Sequence, residues 1–262
     1  MKLCNKKLFL LDMDGTLYLG NRIFDKTREF LSRIRIIGAK YLFLTNNSSK
    51  SASAYVKKLA KMGIDACEED FFTSTNATIT YLKKQYGESL IYASGTHTFV
   101  DELRAYGLNV TVKPKEGIKC FVMGYDTELT YEKLMIASRL LINKEIDYIA
   151  TNPDLVCPTE FGYVPDCGSV AQMLFNATGR LPKFIGKPEP EMILESMEKC
   201  SCSADETVII GDRLYTDIAA GVNAETDTVF VLSGEGVTED IEKYGIRPTY
   251  VMRDIGEVLS KL

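Results

Sequence analysis

The chain has 262 residues, of which 45% are hydrophobic and 26% are charged, a composition typical of a soluble globular protein with a sizeable core. Its 31 basic and 36 acidic residues give a formal net charge of −5, which argues against nucleic acid as the main partner because no basic excess can neutralise a phosphate backbone. No stretch reaches the roughly 20 apolar residues that span a bilayer, and residues 1–7 do not resemble a signal peptide, so we expect a cytoplasmic protein without a membrane partner.

Short apolar runs, each bounded by Gly, Asn or Asp, predict buried strands at residues 8–11, 41–44, 208–210 and 229–232. Runs that are apolar on both faces suit a parallel sheet covered by helices on each side. Segments of helical period lie between them, at residues 51–62, 190–200 and 217–222. This alternation predicts an α/β fold with a doubly wound parallel sheet.

The middle of the chain repeats the same strand and helix patterns and is long enough to form its own core. We therefore predict one domain from residues 1–79 plus 179–262, and an inserted α/β domain at residues 80–178. Residues 184–185 are expected to return to the first sheet.

Four polar segments each follow a predicted strand, where open α/β sheets bind their ligands. In the first segment, Asp12 and Asp14 project to the same side of an extended chain while Met13 turns toward the core. Two carboxylates this close repel each other unless they share a cation, which predicts a divalent metal. Gly15 then lets the backbone turn and present amides to an anion.

The other three segments supply groups that suit a bound phosphate. Thr45, Asn46 and Asn47 place a hydroxyl and amides at a predicted helix N-terminus, where an anion is favoured. Lys187 can neutralise a phosphate oxygen or a nucleophilic carboxylate. The segment that begins at Gly211 adds Asp212 as a further acidic metal ligand.

In this order the four segments resemble the motifs of the haloacid dehalogenase superfamily, which are D-x-D-G-T, a Ser or Thr after the second strand, a Lys, and G-D-x-x-x-x-D. The resemblance is narrower to the type IIA capped branch, the NagD-like and 4-nitrophenylphosphatase-like enzymes, and it covers nearly the whole chain. It implies a Rossmann-like core with an inserted cap domain. It also implies a Mg²⁺-dependent hydrolase of a small phosphate ester, such as a sugar phosphate, nucleotide, phosphoglycolate or pyridoxal phosphate.

The resemblance also implies catalytic roles for four residues. Asp12 would attack phosphorus and form an aspartyl-phosphate. Asp14 would protonate the leaving oxygen and then take the proton of the attacking water. Thr45 and Lys187 would hold the transferring oxygens where negative charge builds.

The resemblance likewise implies a metal site and a phosphate site. Mg²⁺ would be held by Asp12, the Asp14 carbonyl oxygen and Asp212, with Asp217 orienting these ligands from behind. The phosphate would be bound by Gly15, Thr45, Asn46, Asn47 and Lys187.

Residues 152–169 are predicted to recognise the leaving group, and Glu160, Phe161, Tyr163 and Asp166 are the candidate contact residues.

The sequence departs from the pattern of the type IIA branch at two places. Pro165–Asp166–Cys167–Gly168–Ser169 replaces the common Pro-Gly-x-Gly-Ser, and Glu225 stands where a glycine commonly follows the alanine.

Other features of the sequence are interpreted more simply. The seven cysteines contain no C-x-x-C pair and are expected to be free thiols. Gly234–Glu235–Gly236 lacks the spacing of a dinucleotide-binding loop and indicates a turn. His97, the single histidine, is not expected to be catalytic, because Asp14 already serves as acid and base.

Two other functions stay open beside hydrolysis. A phosphotransferase or phosphomutase would use the same nucleophile with water excluded. A signalling module would keep the phosphate on Asp12, but an acid at Asp14 argues against it because it hastens dephosphorylation. A homodimer is also left open.

Overall fold

The computed structural model of the protein describes residues 3–159 and 161–262, which form two compact units. The core unit comprises Met1–Thr45, Ala52–Phe72 and Lys187–Leu262, and the inserted unit comprises Asn46–Ser51 and Thr73–Gly186. These bounds differ from the predicted division at residues 79/80 and 178/179. Within the described ranges, no helix combines the length and apolarity that a membrane span requires.

The strands are short and mostly buried. In chain order they are β1 Leu8–Leu11, β2 Tyr18–Leu19, β3 Arg22–Ile23, β4 Lys40–Thr45, β5 Phe71–Thr73, β6 Leu90–Ser94, β7 Val110–Thr111, β8 Ile118–Met123, β9 Asp147–Ala150, β10 Val156–Thr159, β11 Gly162–Pro165, β12 Lys183–Phe184, β13 Thr207–Gly211, β14 Asp227–Val231 and β15 Tyr250–Met252.

The α-helices lie between these strands. They are α1 Thr27–Ile36, α2 Ala52–Lys61, α3 Ser74–Tyr86, α4 His97–Ala105, α5 Tyr131–Leu141, α6 Cys167–Thr178, α7 Glu191–Cys200, α8 Ala219–Asn223, α9 Asp240–Tyr244 and α10 Ile255–Leu259. A π-helical turn at Leu214–Ile218 leads directly into α8.

The core unit is built on a six-stranded sheet with the order β15-β14-β13-β1-β4-β5. The pairings of β1 with β13 and β4, and of β14 with β13 and β15, are parallel. Phe9 and Leu11 pack into one apolar cluster with Phe30 of α1 and Leu59 of α2. Leu10 points to the opposite face and is also fully buried, so both faces of β1 are covered, as a continuous apolar strand predicts.

The inserted unit has its own five-stranded parallel sheet, with the order β12-β9-β8-β6-β7. Its apolar cluster includes Phe121, Tyr148 and Leu174. The prediction that residues 184–185 return to the first sheet is wrong, because β12 pairs with β9 through Lys183–Ile149 and Phe184–Ala150. This edge strand is only two residues long, and its sequence carries no information about which sheet it joins.

Candidate active site

Strand register brings the first and fourth predicted segments together. Leu11 lies level with Phe43 of β4 on one side and with Ile210 of β13 on the other. The residues that follow these strands therefore emerge side by side at the carboxyl edge of the sheet. The backbone N–H of Asp12 donates to Ile210 O at 2.9 Å, which fixes Asp12 beside the segment that carries Asp212.

Three aspartates form the acidic cluster of this edge. One carboxylate oxygen from each of Asp12, Asp212 and Asp217 lies within 4.8 Å of the others. Asp212 and Asp217 are 2% and 1% exposed, whereas the Asp12 side chain is 17% exposed. Asp12 is thus the member of the cluster that a molecule from solvent can reach.

Lys187 supplies the ammonium group of the cluster. Its Nζ donates to Asp217 Oδ1 at 2.6 Å and to Asp12 Oδ1 at 2.9 Å, and its side chain is only 3% exposed. Burial lowers the pKa of Lys187, but the two carboxylates outweigh burial and hold the net pKa above its ordinary value. Lys187 therefore remains protonated throughout the physiological range.

The pKa values of two carboxyl groups of the cluster, those of Asp12 and Asp212, are also raised. Burial, followed by repulsion from Asp217, raises the pKa of Asp12 well above its ordinary value, although Lys187 opposes the shift. Burial and Asp217 also raise the pKa of Asp212 to about 7, while the Glu235 backbone N–H and Arg213 oppose the shift. Three carboxylates share one buried ammonium, so the excess negative charge has too few partners.

This donor set fits a hard divalent cation such as Mg²⁺, which prefers clustered carboxylate oxygens. Both oxygens of Asp217 are already engaged by the protein, because Oδ1 accepts from Lys187 and Oδ2 accepts from the Arg213 N–H at 3.1 Å. Within the described residues, one oxygen of Asp12 and one of Asp212 have only a long contact, because the Thr16 hydroxyl lies 3.5 Å from Asp12 Oδ2 and from Asp212 Oδ1. The geometry therefore favours these two as metal ligands, with Asp217 behind them.

Thr16 is a site residue that the sequence prediction did not single out. Its hydroxyl is fully buried and lies 3.5 Å from both Asp12 Oδ2 and Asp212 Oδ1. It is the threonine of the D-x-D-G-T motif, so the motif itself contained the signal. The hydroxyl has one hydrogen, so it can donate to either carboxylate but not to both at once.

The acidic pair of the first segment separates in the structure. Met13 is buried in the core, as predicted. The Asp14 carboxylate is 38% exposed and lies apart from the three-aspartate cluster, with Oδ1 accepting from Gly20 N–H at 3.4 Å and Oδ2 lying 3.6 Å from Lys58 Nζ. Lys58, which also lies 4.1 Å from the centre of the Tyr18 ring, was not predicted as a site residue.

Gly15 is required by its backbone and by its neighbour. Its φ of +90° favours glycine, and a Cβ there would lie 2.3 Å from Asp212 Oδ2. Its N–H donates to Tyr18 O at 2.7 Å, which differs from the predicted presentation of this amide to an anion. Gly15 instead allows the Asp212 carboxylate to approach the backbone closely.

The second segment is divided between the two units. Thr45 ends β4 and is 9% exposed, in the core unit. Asn46 and Asn47 follow it in the chain but belong to the inserted unit. There Asn46 Nδ2 donates to Asp154 Oδ2 at 3.1 Å, and Asn47 Oδ1 accepts from the N–H and hydroxyl of Ser49. Phosphate binding by the two asparagines stays a prediction.

The segment predicted to recognise the leaving group lies in the inserted unit. Phe161 and Tyr163 of the β10–β11 hairpin are 84% and 61% exposed, whereas Asp166 is 4% exposed and accepts from the Cys167 N–H at the start of α6. Glu160 lies outside the described residues.

His97 is exposed and pairs with Glu128. The seven cysteines are free thiols, as expected from the sequence.

The chain is similar to known proteins along most of its length. The family model for haloacid dehalogenase-like hydrolases matches residues 9–109, and a HAD-hydrolase-like model matches residues 184–258. An acid sugar phosphatase of Staphylococcus aureus is 35% identical over 256 residues, which is 98% of each chain.

Solved structures give the same result. The 4-nitrophenylphosphatase of Thermotoga maritima matches with a TM-score of 0.92 and 37% identity, over 98% of each chain. NagD of Escherichia coli K-12 matches with a TM-score of 0.88 and 30% identity, over 97% of this chain and 98% of NagD.

The parallel sheet, the motif order and these matches show that the chain belongs to the haloacid dehalogenase-like hydrolase family. Within that family it is a phosphatase of the type IIA, NagD-like branch. The resemblance stated from the sequence is thereby confirmed.

Proposed function

We propose that the chain is a Mg²⁺-dependent phosphomonoester hydrolase that works through an aspartyl-phosphate on Asp12. The observation that carries this proposal is the difference in exposure within the acidic cluster. Asp12 is open to solvent on one side and held by Lys187 on the other, while Asp212 and Asp217 are buried. A nucleophile must be reached by its substrate, and only Asp12 of the three meets that condition.

The first displacement forms a bond from an Asp12 carboxylate oxygen to phosphorus and breaks the bond from phosphorus to the leaving oxygen. Asp14 gives its proton to that leaving oxygen. In the second displacement Asp14 takes a proton from water, the water oxygen bonds to phosphorus, and the Asp12–phosphorus bond breaks. The exposure of the Asp14 carboxylate supports this role, because both the leaving group and water must reach it.

The other residues position and neutralise charge. Lys187 holds Asp12 in place and offsets negative charge on the transferring group. The Thr45 hydroxyl, at the end of the neighbouring strand, would bind an oxygen of the same group. Asp12, Asp212 and the Asp14 carbonyl oxygen would hold Mg²⁺, and Asp217 would orient the site. When bound, Mg²⁺ supplies the positive charge that lets the acidic cluster and a phosphate lie close together.

The substrate we propose is a small phosphorylated metabolite. Sugar phosphates come first, because the Staphylococcus aureus relative is named an acid sugar phosphatase. Nucleotides, phosphoglycolate and pyridoxal phosphate follow. The net charge of −5 supports a small ester over a phosphorylated polymer, since no basic excess is available for a polyanion.

The test measures phosphate released from 4-nitrophenyl phosphate and from a panel of these four classes, with Mg²⁺ or with EDTA. We expect turnover with Mg²⁺, loss of turnover in EDTA, and no turnover for Asp12→Asn. The exposed Asp65→Asn is the matched control and should match wild type. Activity of Asp12→Asn equal to wild type would refute the proposed nucleophile. Phosphate recovered on an added alcohol acceptor in place of free phosphate would identify a phosphotransferase.

A further inference from the structure

The loop after β14, residues 233–236, contacts both acidic segments of the site. The Glu235 N–H donates to Asp212 Oδ2 at 2.7 Å, and the Gly236 N–H donates to the Asp212 carbonyl oxygen at 3.1 Å. The Ser233 hydroxyl donates to the Gly15 carbonyl oxygen at 2.8 Å. The 233–236 loop is therefore bonded to the segment that carries Asp12 and to the segment that carries Asp212.

Two glycines enclose the Asp212 carboxylate. A Cβ on Gly234 would lie 2.0 Å from Asp212 Oδ2 and 2.7 Å from Gly15 Cα, and a Cβ on Gly15 would lie 2.3 Å from the same oxygen. No side chain can occupy either position unless the carboxylate moves. The close contact leaves Oδ2 engaged by the loop, while the Thr16 hydroxyl lies 3.5 Å from Oδ1.

The Glu235 side chain is anchored on its other side. Its Oε2 lies 2.9 Å from Arg213 Nε, and its Oε1 accepts from the Tyr215 hydroxyl at 2.9 Å. Tyr215 in turn packs against Tyr244, with ring centres 5.6 Å apart. Arg213 and Tyr215 both follow Asp212 closely in the chain. The Glu235 side chain therefore contacts the segment that carries Asp212, and the Glu235 backbone N–H donates to the Asp212 carboxylate of that same segment.

We propose that Glu235 is a positioning residue that fixes the Asp212 carboxylate for divalent-cation binding, through its backbone N–H and its Arg213 and Tyr215 anchors. This inference rests on the proposed function, because it assigns Asp212 to the Mg²⁺ site. The sequence indicated only a turn at Gly234–Glu235–Gly236, and the Tyr215 and Arg213 contacts attach this turn to the segment that carries Asp212.

The physical reason is repulsion within the cluster. Before a cation binds, Asp212 faces Asp217 and Asp12 in a buried setting, and like charges would turn its carboxylate away. A fixed N–H donor on Oδ2 keeps the carboxylate in one orientation and leaves Oδ1 as the better placed ligand atom. Preorganisation of this kind lowers the cost of binding, and outer partners of metal ligands commonly contribute about 10–100-fold to metal affinity.

The test uses the full chain and measures Mg²⁺ affinity by calorimetry, without substrate, for Glu235→Ala, Glu235→Gln, Tyr215→Phe and Gly234→Ala. Glu257→Ala is the matched control, because Glu257 of α10 forms the same kind of ion pair, at 3.1 Å, with Arg253, which precedes the helix. We expect Glu235→Ala to weaken Mg²⁺ binding about tenfold, with Glu257→Ala unchanged. Glu235→Gln keeps an acceptor for Tyr215, so its loss, like that of Tyr215→Phe, should be smaller. Gly234→Ala should lose at least as much as Glu235→Ala.

Thermal melting in EDTA separates positioning from folding. Glu235→Ala should melt close to wild type without metal, and its phosphatase activity should return at high Mg²⁺. Unchanged Mg²⁺ affinity in Glu235→Ala and Tyr215→Phe would overturn the inference, as would a loss that only follows a lower melting temperature. Wild-type protein without Mg²⁺-dependent phosphatase activity would instead refute the proposed function, and the inference with it.

Discussion

Replacing Lys187 with methionine removes the ammonium that contacts both Asp12 and Asp217 and keeps much of the side-chain volume. In wild type its Nζ lies 2.9 Å from Asp12 Oδ1 and 2.6 Å from Asp217 Oδ1, and the side chain is 3% exposed. Breaking a buried ion pair by removing one partner costs about 3–5 kcal/mol, because the remaining charge is left uncompensated. We expect Lys187→Met to lose about that much free energy of unfolding in EDTA at neutral pH.

Mg²⁺ should reverse part of this loss. A divalent cation restores positive charge to the same carboxylates, so the difference between Lys187→Met and wild type should shrink at saturating Mg²⁺. Chemical denaturation monitored by circular dichroism, with EDTA and with Mg²⁺, measures both values. Turnover should remain low in either condition, since the positioning of Asp12 is also lost.

Lys6→Met is the matched control, because Lys6 is buried in the core unit and lies 2.7 Å from Asp227, away from the acidic cluster. Its loss of stability should be the same with and without Mg²⁺. A Lys187→Met loss that is equally independent of Mg²⁺, or no loss at all, would refute the view that Lys187 and the cation compensate the same charges.

Two further predictions concern stability. Relative to Asp212→Asn, the metal-free wild type should lose stability as pH rises from about 3.8, the ordinary pKa of an aspartate, to about 7, the pKa of Asp212, because the folded Asp212 carboxyl holds its proton more tightly than the unfolded one. Denaturation midpoints of the two proteins measured across this range give that difference, and a difference that does not change with pH would contradict the raised pKa of Asp212. Glu225 has a φ of +57°, where glycine is preferred. Glu225→Gly should therefore raise the free energy of unfolding by about 1 kcal/mol and Tm by about 2–4 °C. Glu225→Ala, which keeps the unfavourable backbone, should not stabilise, and equal Tm values for the two variants would contradict this reasoning.

The convergence of Asp12 and Asp212 could be predicted from the sequence because parallel strands end at one edge. The runs at β1 and β13 are apolar on both faces, so their neighbours at the carboxyl edge could be inferred to meet. Asp12 and Asp212 do converge there, with Lys187 between Asp12 and Asp217. Lys187 was singled out because it follows the predicted strand at residues 184–185, although that strand joins the sheet of the inserted unit.

Contacts that depend on tertiary placement were not predictable. The 233–236 loop reaches Asp212 because β14 lies beside β13, and its short Gly-x-Gly sequence is also typical of an ordinary turn. Lys58 reaches Asp14 because α2 packs on the core unit, and helical periodicity does not identify the residue that such a face contacts. The prediction of which sheet the two-residue β12 joins was wrong for a similar reason, because its pairing with β9 decides the sheet.

Chemical trapping of residue 12 tests the proposed reaction most directly. Wild-type protein that is turning over a phosphate ester with Mg²⁺ is quenched with borohydride, which reduces an aspartyl-phosphate to homoserine, and its peptides are analysed by mass spectrometry. We predict homoserine at position 12, dependent on both substrate and Mg²⁺. Homoserine at another aspartate, or an unmodified position 12 during steady turnover with a trap-positive control enzyme, would contradict the assignment of Asp12 as the nucleophile.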